Sequence, residues 1–200
     1  MQDHHQLSQI EIFKNLTNQE LSALAAICTS LRLSKKEKLY EPGSHFDQLF
    51  VLKNGLMRWY FDNEVGTENN LFLPSEKEHA LVGIPEFYEG HRTSKYHIEA
   101  VVDSEILLFD RQKFEELAFT HRGIYNLYIH SLKNVINVLR LRTEQLCTHS
   151  PDLRYEVFLK DRPFTTRNAN RKYVASFLGI TPNSLSRLTA RIQKKQHPKK

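Results

Sequence analysis

The sequence predicts an α+β protein: an N-terminal double-stranded β-helix (jelly roll), one long helix for dimerisation, and a C-terminal helical unit of the winged-helix or helix-turn-helix type. Three observations carry this. Short aromatic and β-branched runs punctuated by turn signals fill residues 34–110. A stretch of some 24 residues without Pro or Gly follows, with apolar positions at helical spacing. The basic segment "RKYVASFLGITPNSLSRL", Arg171 to Leu188, then divides at Gly179 into two apolar-striped halves.

The first thirty residues read as helical. Thr17 and Glu20 form a capping box ahead of Leu21, Leu24, Ala25 and Ile27. In the next region "LFVLKNGLMRWYF", "NNLFL", "YHIEAVV" and "EILLFD" read as strands. They are separated by Pro42-Gly43, Asn54-Gly55, Asp62–Gly66 and Asp103-Ser104. Asn-Gly between two such runs predicts a hairpin. Many short strands at regular spacing favour a roll over alternating strands and helices. Asp110 caps a short helix, "RQKFEELAF".

The long helix "GIYNLYIHSLKNVINVLRLRTEQL" places Ile124, Leu127, Ser131, Val135, Val138 and Leu141 on one stripe, broadened by Ile129, Leu132, Ile136 and Leu139. Two apolar faces can satisfy one domain on one side and a second copy of the chain on the other, so this stripe is the expected dimer contact. Ser150-Pro151 ends the helix. The resulting boundaries are 1–121 for the roll, 122–148 for the long helix and 149–200 for the helix-turn-helix unit.

In that last unit Val174, Phe177 and Leu178 form a helical stripe, and Gly179 supplies the stop where positive φ is easiest. Thr181 caps the second helix and Pro182 occupies its first position. Leu185 and Leu188 turn inward, while Asn183, Ser184, Arg187 and Arg191 turn outward. Such a helix pair fits the DNA major groove. Asn183 can pair bidentately with adenine, and Arg187 with guanine. Thr181, Pro182 and Ser184, with the helix start at Asn170, suit phosphate contact. Arg171, Lys172, Arg191, Lys194 and Lys195 supply attraction independent of sequence.

Charge agrees with this division. Residues 1–110 hold 10 Lys/Arg against 17 Asp/Glu, and residues 111–200 hold 18 against 6. From Phe164 onward nine basic residues meet no acidic one, which points to an anionic partner, double-stranded DNA first. A ligand-binding sensor module without DNA contacts is the alternative, and it predicts a neutral C-terminal segment. Enzyme readings find no support. No nucleophile–base motif or Gly-rich phosphate loop occurs, and the ten histidines lack zinc-type spacing. Cys28 and Cys147 are too few for a disulfide framework or an iron–sulfur cluster. No metal or cofactor is expected. No run is apolar enough to span a membrane, and "MQDHHQLSQI" lacks the plan of a signal peptide, which predicts a cytoplasmic protein.

An acidic roll, a long helix and a basic helix-turn-helix together resemble the Crp–Fnr transcription regulators. "KEKLYEPGSHFDQLFVLKNGLMRWYF" resembles that family's opening strands, with Leu49–Leu52 and Gly55 in its hairpin. "EILLFDRQKFEEL" resembles the strand leaving its roll. "RKYVASFLGITPNSLSRL" resembles its DNA-reading unit, with Ala175, Gly179, Leu185 and Leu188 in the structural places. "LGITPNSLSR" and the short C-terminus look most like the branch common in Bacteroidetes-type bacteria. The resemblance implies a homodimeric, bacterial DNA-binding regulator, in contact with the transcription machinery, whose roll is of the cyclic-nucleotide-binding type. Members that hold cyclic AMP use a Gly-Glu pair and an Arg-Ser pair around its phosphate. Here Ser94-Lys95 stand where Arg-Ser would align, with Arg92 and Tyr96 beside them. A cyclic phosphate wants a fixed guanidinium fork that a lysine lacks, so cyclic AMP is not the expected ligand.

Overall fold

The computed structural model describes residues 4–45, 47–76, 81–82 and 93–196, and of 81–82 and 193–196 the backbone alone. Helix α1 (His4–Ser8) and a single 3-10 turn (Glu11–Phe13) lead into α2 (Asn18–Ala26). The capping box at Thr17 is present: Thr17 Oγ1 accepts from the Glu20 amide at 3.3 Å, and Glu20 Oε2 accepts from the Thr17 amide at 2.8 Å. The other Glu20 oxygen accepts from the Gly123 amide at 2.6 Å, so one carboxylate also ties α2 to the start of the long helix.

The helical start ends sooner than the sequence predicts. Strand β1 (Cys28–Leu33) takes over directly, pairing antiparallel with β8 (Ser104–Asp110), Cys28 opposite Phe109. Its partner lies some 75 residues away, where no local pattern announces it. Between them run β2 (Lys38–Tyr40), β3 (Gln48–Asn54), β4 (Met57–Asp62), β5 (Glu68–Phe72), β6 (Leu81–Val82) and β7 (His97–Ala100). They form two four-stranded sheets, β1-β8-β3-β6 and β2-β7-β4-β5, antiparallel throughout. Inward side chains interdigitate between them; Trp59 stacks on Phe50 at 5.5 Å, and Phe109 meets Phe13 and Phe114 edge-on.

Asn54-Gly55 is not a hairpin turn, contrary to expectation. The strands it joins, β3 and β4, belong to different sheets, so it is a corner between layers. Gly55 sits at φ +110°, and a Cβ there would lie 2.2 Å from Ser104 Oγ. Close approach of two backbones selects this glycine. The true hairpin is β4–β5, closed around Asn63 and Gly66, where the Asn63 amide donates to Thr67 O at 3.0 Å.

Asp110 caps α3 (Arg111–Thr120), its carboxylate accepting from the Lys113 amide at 2.9 Å. Helix α4 (Arg122–Thr148) then runs for 27 residues, about 40 Å. Ser150 caps α5 (Pro151–Asp161), and α6 (Pro163–Asn168), α7 (Arg171–Phe177) and α8 (Pro182–Gln196) complete the fold. Among the described residues no strand follows β8, and no helix is long and apolar enough to cross a membrane.

The apolar stripe assigned to dimer contact divides along α4. Ile124 and Leu127 are buried in the roll's own core, and Ser131 is buried with its hydroxyl donating to Leu127 O. Val135 is half-buried, and Val138 and Leu141 line a cavity against α5 and α7. The start of the stripe thus packs on the roll, while Leu141 keeps 40% of its surface exposed.

Glu20 makes the fold sensitive to acid. Hydrogen bonds from Thr17 and Gly123 hold its carboxyl below the usual value of 4.5, the Thr17 amide foremost. A depressed folded-state pKa gives stability that is present above the usual carboxylate range and is lost as pH falls through the folded value. Glu20→Gln should therefore cost about 1–2 kcal/mol at pH 7, and the gap to the wild type should close towards pH 3. Urea denaturation across that range checks it; a gap that stays constant with pH would show the ionised carboxylate to be irrelevant.

Candidate nucleic-acid interface

Asn170 starts α7, its side chain accepting from the Lys172 amide at 3.0 Å. Tyr173, Val174, Ala175 and Phe177 are buried beneath the helix. Its end is a Schellman turn: the Gly179 amide donates to Ser176 O and the Ile180 amide to Ala175 O, both at 3.0 Å. Gly179 carries the positive φ, +66°, that this turn demands. Thr181 then caps α8, its Oγ1 accepting from the Ser184 amide at 3.1 Å and donating to Ser184 Oγ at 3.0 Å, with Pro182 next in the first turn. Leu185 and Leu188 are buried against α7 and α5, so the second helix is fixed by packing on one face and open on the other.

Asn183 and Arg187 lie one turn apart on the open face of α8. Both are exposed, and among the described residues neither makes a hydrogen bond or ion pair. The cations around them are differently placed. Arg171 Nη2 donates to Thr189 Oγ1 at 3.0 Å, stapling α7 to α8. Arg191 pairs with Asp152 of α5, and Lys172 Nζ lies 3.5 Å from Glu68 of β5. The side chains of Lys194 and Lys195 lie outside the described residues.

A second set of residues, absent from the sequence reading, docks this unit on the roll. Ser176 Oγ donates to Glu68 O at 3.1 Å and accepts from the Asn70 amide at 2.9 Å, which joins α7 to the edge strand β5. Arg142 of α4 donates through Nη2 to Asn70 O at 2.9 Å and Phe177 O at 3.1 Å. Arg58, only 2 % exposed, forks onto Glu99 at 3.2 and 2.9 Å and reaches Glu68 at 2.8 Å. Its guanidinium lies between the rings of Tyr60 and Tyr173, 3.7 and 3.9 Å from their centroids. Burial depresses the Arg58 charge, but the bonds to Glu99 and Glu68 prevail and hold its pKa above the ordinary arginine value. Glu68 is held correspondingly low, mainly by its bond from Arg58. The one signal in the sequence was a lone arginine inside the apolar run "GLMRWYF".

The candidate effector residues divide. Ser94 is buried, its hydroxyl donating to Tyr96 O at 2.7 Å and accepting from the Tyr96 amide at 3.0 Å. Lys95 is exposed, and the Tyr96 ring packs edge-on to Phe61 at 6.2 Å. Arg92 lies outside the described residues. Among the described residues no group of His, Cys, Asp and Glu could hold a metal ion.

A roll of two antiparallel sheets is thus joined by one long helix to a capped helix-turn-helix. Residues 30–121 match the family model of the cyclic nucleotide-binding domain. No curated protein matches the sequence. FixK2 from Bradyrhizobium japonicum is similar in structure with a TM-score of 0.71, at 16% identity over 85% of this chain and 86% of that one. The c-di-GMP-responsive global regulator CLP of Xanthomonas campestris gives 0.69, at 13% identity over 90% and 93%. A putative transcriptional regulator of the Crp/Fnr family from Eubacterium rectale gives 0.67, at 13% identity over 92% and 87%. The domain match and these likenesses give the chain a cyclic nucleotide-binding roll and a fold shared with those structures.

The turn between α7 and α8 admits a direct test. Gly179→Ala should lose about 1–2 kcal/mol, since a left-handed backbone opposes any Cβ and this one would stand 3.0 Å from Leu146 Cδ2. Gly179→Val should lose more, because a branched Cβ adds crowding. Thermal melts of the two variants check the order, and equal melting of all three proteins would contradict the strain.

Proposed function

We propose that the chain is a homodimeric, sequence-specific DNA-binding transcription regulator with a sensor roll. The observation that carries this reading is the unengaged pair Asn183 and Arg187 on the open face of α8, in a segment without acidic residues. An amide and a guanidinium one helical turn apart suit adenine and guanine edges in the major groove. Asn170, Thr181, Pro182 and Ser184 present helix starts to phosphate, and Arg171, Lys172, Arg191, Lys194 and Lys195 add attraction that does not depend on sequence. In such a regulator the reaction is recognition alone, so no enzymatic step is assigned, and the place of action is the cytoplasm.

The dimer seam of this reading is a stripe of α4 next to the one the sequence suggested. Tyr125, Ile129, Leu132, Ile136, Leu139 and Thr143 follow each other at alternating steps of four and three. That puts β-branched residues at one core position and Leu or Tyr at the other, the pattern of a two-stranded parallel coiled coil. Tyr125 and Ile136 are among the most exposed large apolar residues of the chain, at 51% and 64%. The effector of the roll is something other than cyclic AMP held in the usual way. The aligned Ser94-Lys95 offers no guanidinium fork, and the Ser94 hydroxyl is committed to Tyr96.

Two experiments test these statements. Ile136→Asp places an unpaired carboxylate in the seam, and light scattering at tens of micromolar should show monomer; a wild type already monomeric there refutes the seam. For recognition, fluorescence anisotropy compares a selected operator with scrambled DNA at several salt concentrations. Arg187→Ala should cost about 1–3 kcal/mol on the operator and relax preference at one base pair, whereas Lys194→Ala should weaken all sequences alike and lower the salt slope by about one. Equal losses on both DNAs for Arg187→Ala remove it from base readout.

A further inference from the structure

The C-terminal half of α4, with α5 and α7, encloses a cavity of about 390 Å³. Its walls include the aliphatic and aromatic side chains of Val138, Val157 and Phe177, and three arginines, Arg142, Arg154 and Arg162, against the single carboxylate of Asp161. It lies on the side of α4 away from the Ile136 seam.

Cations seldom share a wall without anions between them. Arg142 and Arg162 lie over one ring, 4.8 and 5.1 Å from the Phe177 centroid. Arg142 gives Nη2 to two backbone carbonyls, but its Nε is buried with no hydrogen-bond partner. Arg154 gives Nε to Leu178 O at 3.0 Å and Nη1 to His149 O at 2.7 Å. Among the described residues neither Arg142 nor Arg154 is in an ion pair. Among the described residues the charges of Arg142 and Arg154 are thus met by neutral backbone carbonyls, and the Arg142 Nε has no partner. Desolvation first, and then the like charge of Arg162, pushes the Arg142 pKa down to about 10, which is the mark of a site short of negative charge.

We propose that this cavity binds a small oxyanion, a phosphate or carboxylate compound, whose charge is met by the guanidinium groups of Arg142 and Arg154 in the wall between α4 and α7. The volume falls in the range of small-molecule sites, and the walls pair apolar cover with a few convergent donors, as such sites do. Guanidinium groups held by backbone carbonyls are already oriented, so little side-chain freedom is lost on binding. The occupant would bridge the helix that is rooted in the roll to the helix that precedes α8. This site is separate from the roll's interior and from the open face of α8.

Melting of the full chain tests it, because the readout does not depend on DNA. Pyrophosphate and citrate are titrated against sodium chloride at equal ionic strength. The expected result is a saturable rise in melting temperature of at least about 3 °C with one or both anions; pyrophosphate alone identifies a phosphate site, citrate alone a polycarboxylate site. Arg154→Gln, which removes a donor, and Val157→Glu, which supplies a carboxylate from a half-buried wall position, should each abolish the rise. Arg187→Ala on α8 should leave it intact. No saturable rise in the wild type overturns the site. A rise that survives both cavity variants, or that disappears with Arg187→Ala, marks an adventitious ion only and overturns it equally.

Discussion

Arg142 is the point where three parts of the chain meet. It stands on α4, and one nitrogen of its guanidinium holds the backbone of β5 at Asn70 and the end of α7 at Phe177. A buried cation is unfavourable unless its donors find acceptors, and here the acceptors come from both the roll and the reading unit. The position of α7 relative to β5 is therefore the geometry in which Arg142 Nη2 finds both of its acceptors. Because α4 is also anchored in the roll's core by Ile124 and Leu127, a single rigid helix sets where that guanidinium lies. Rotation or sliding of α4 would break both Arg142 bonds, leaving α7 held on β5 by Ser176 and by its apolar contacts.

The second tie is chemical rather than mechanical. Arg58 is buried between two tyrosines and held by Glu99 and Glu68, and one of those tyrosines, Tyr173, belongs to α7. Burial of the Tyr60 hydroxyl beside this cluster raises its pKa to about 12, so it stays neutral and can donate to Glu99. Removing Arg58 would leave Glu99 buried and unpaired, which is far costlier than the pair is worth. The apolar contacts agree with the polar ones. Leu56, Leu73 and Val101 of the roll share one buried cluster with Phe158, Phe177 and Leu178, so the C-terminal helices complete their core against the roll instead of standing free of it.

Much of this was legible in the sequence where the cause was local. The capping box, Asp110 and Ser150-Pro151 rest on side chain to backbone bonds within three residues and the Gly179 turn on backbone bonds within five, and all stand where the residues indicate. What escaped depends on partners far along the chain. Strand β1 exists because β8 pairs with it, and Asn54-Gly55 became a corner because the two strands it joins belong to different sheets. The short helix α6 was unannounced because its six residues carry no complete apolar stripe. Which face of α4 a second copy would cover was not legible, because periodicity gives faces and not what covers them. Arg142 and Ser176 were invisible for the same reason: on their own helices they read as ordinary surface residues.

The cations of the reading unit also differ in ways composition hides. Lys172 and Arg191 face Glu68 and Asp152 across exposed pairs. Such pairs contribute about 0–1 kcal/mol and are screened by salt, so a polyanion can displace their carboxylates at small expense. Arg171 is a staple, with a neutral hydroxyl as its partner. Among the described residues Asn183 and Arg187 have no internal partner to give up, so their donors are open on the outer face of α8. Paired and unengaged groups thus fall on different side chains. On the proposed reading the paired cations supply attraction to any phosphate backbone, and the two unengaged groups select among sequences.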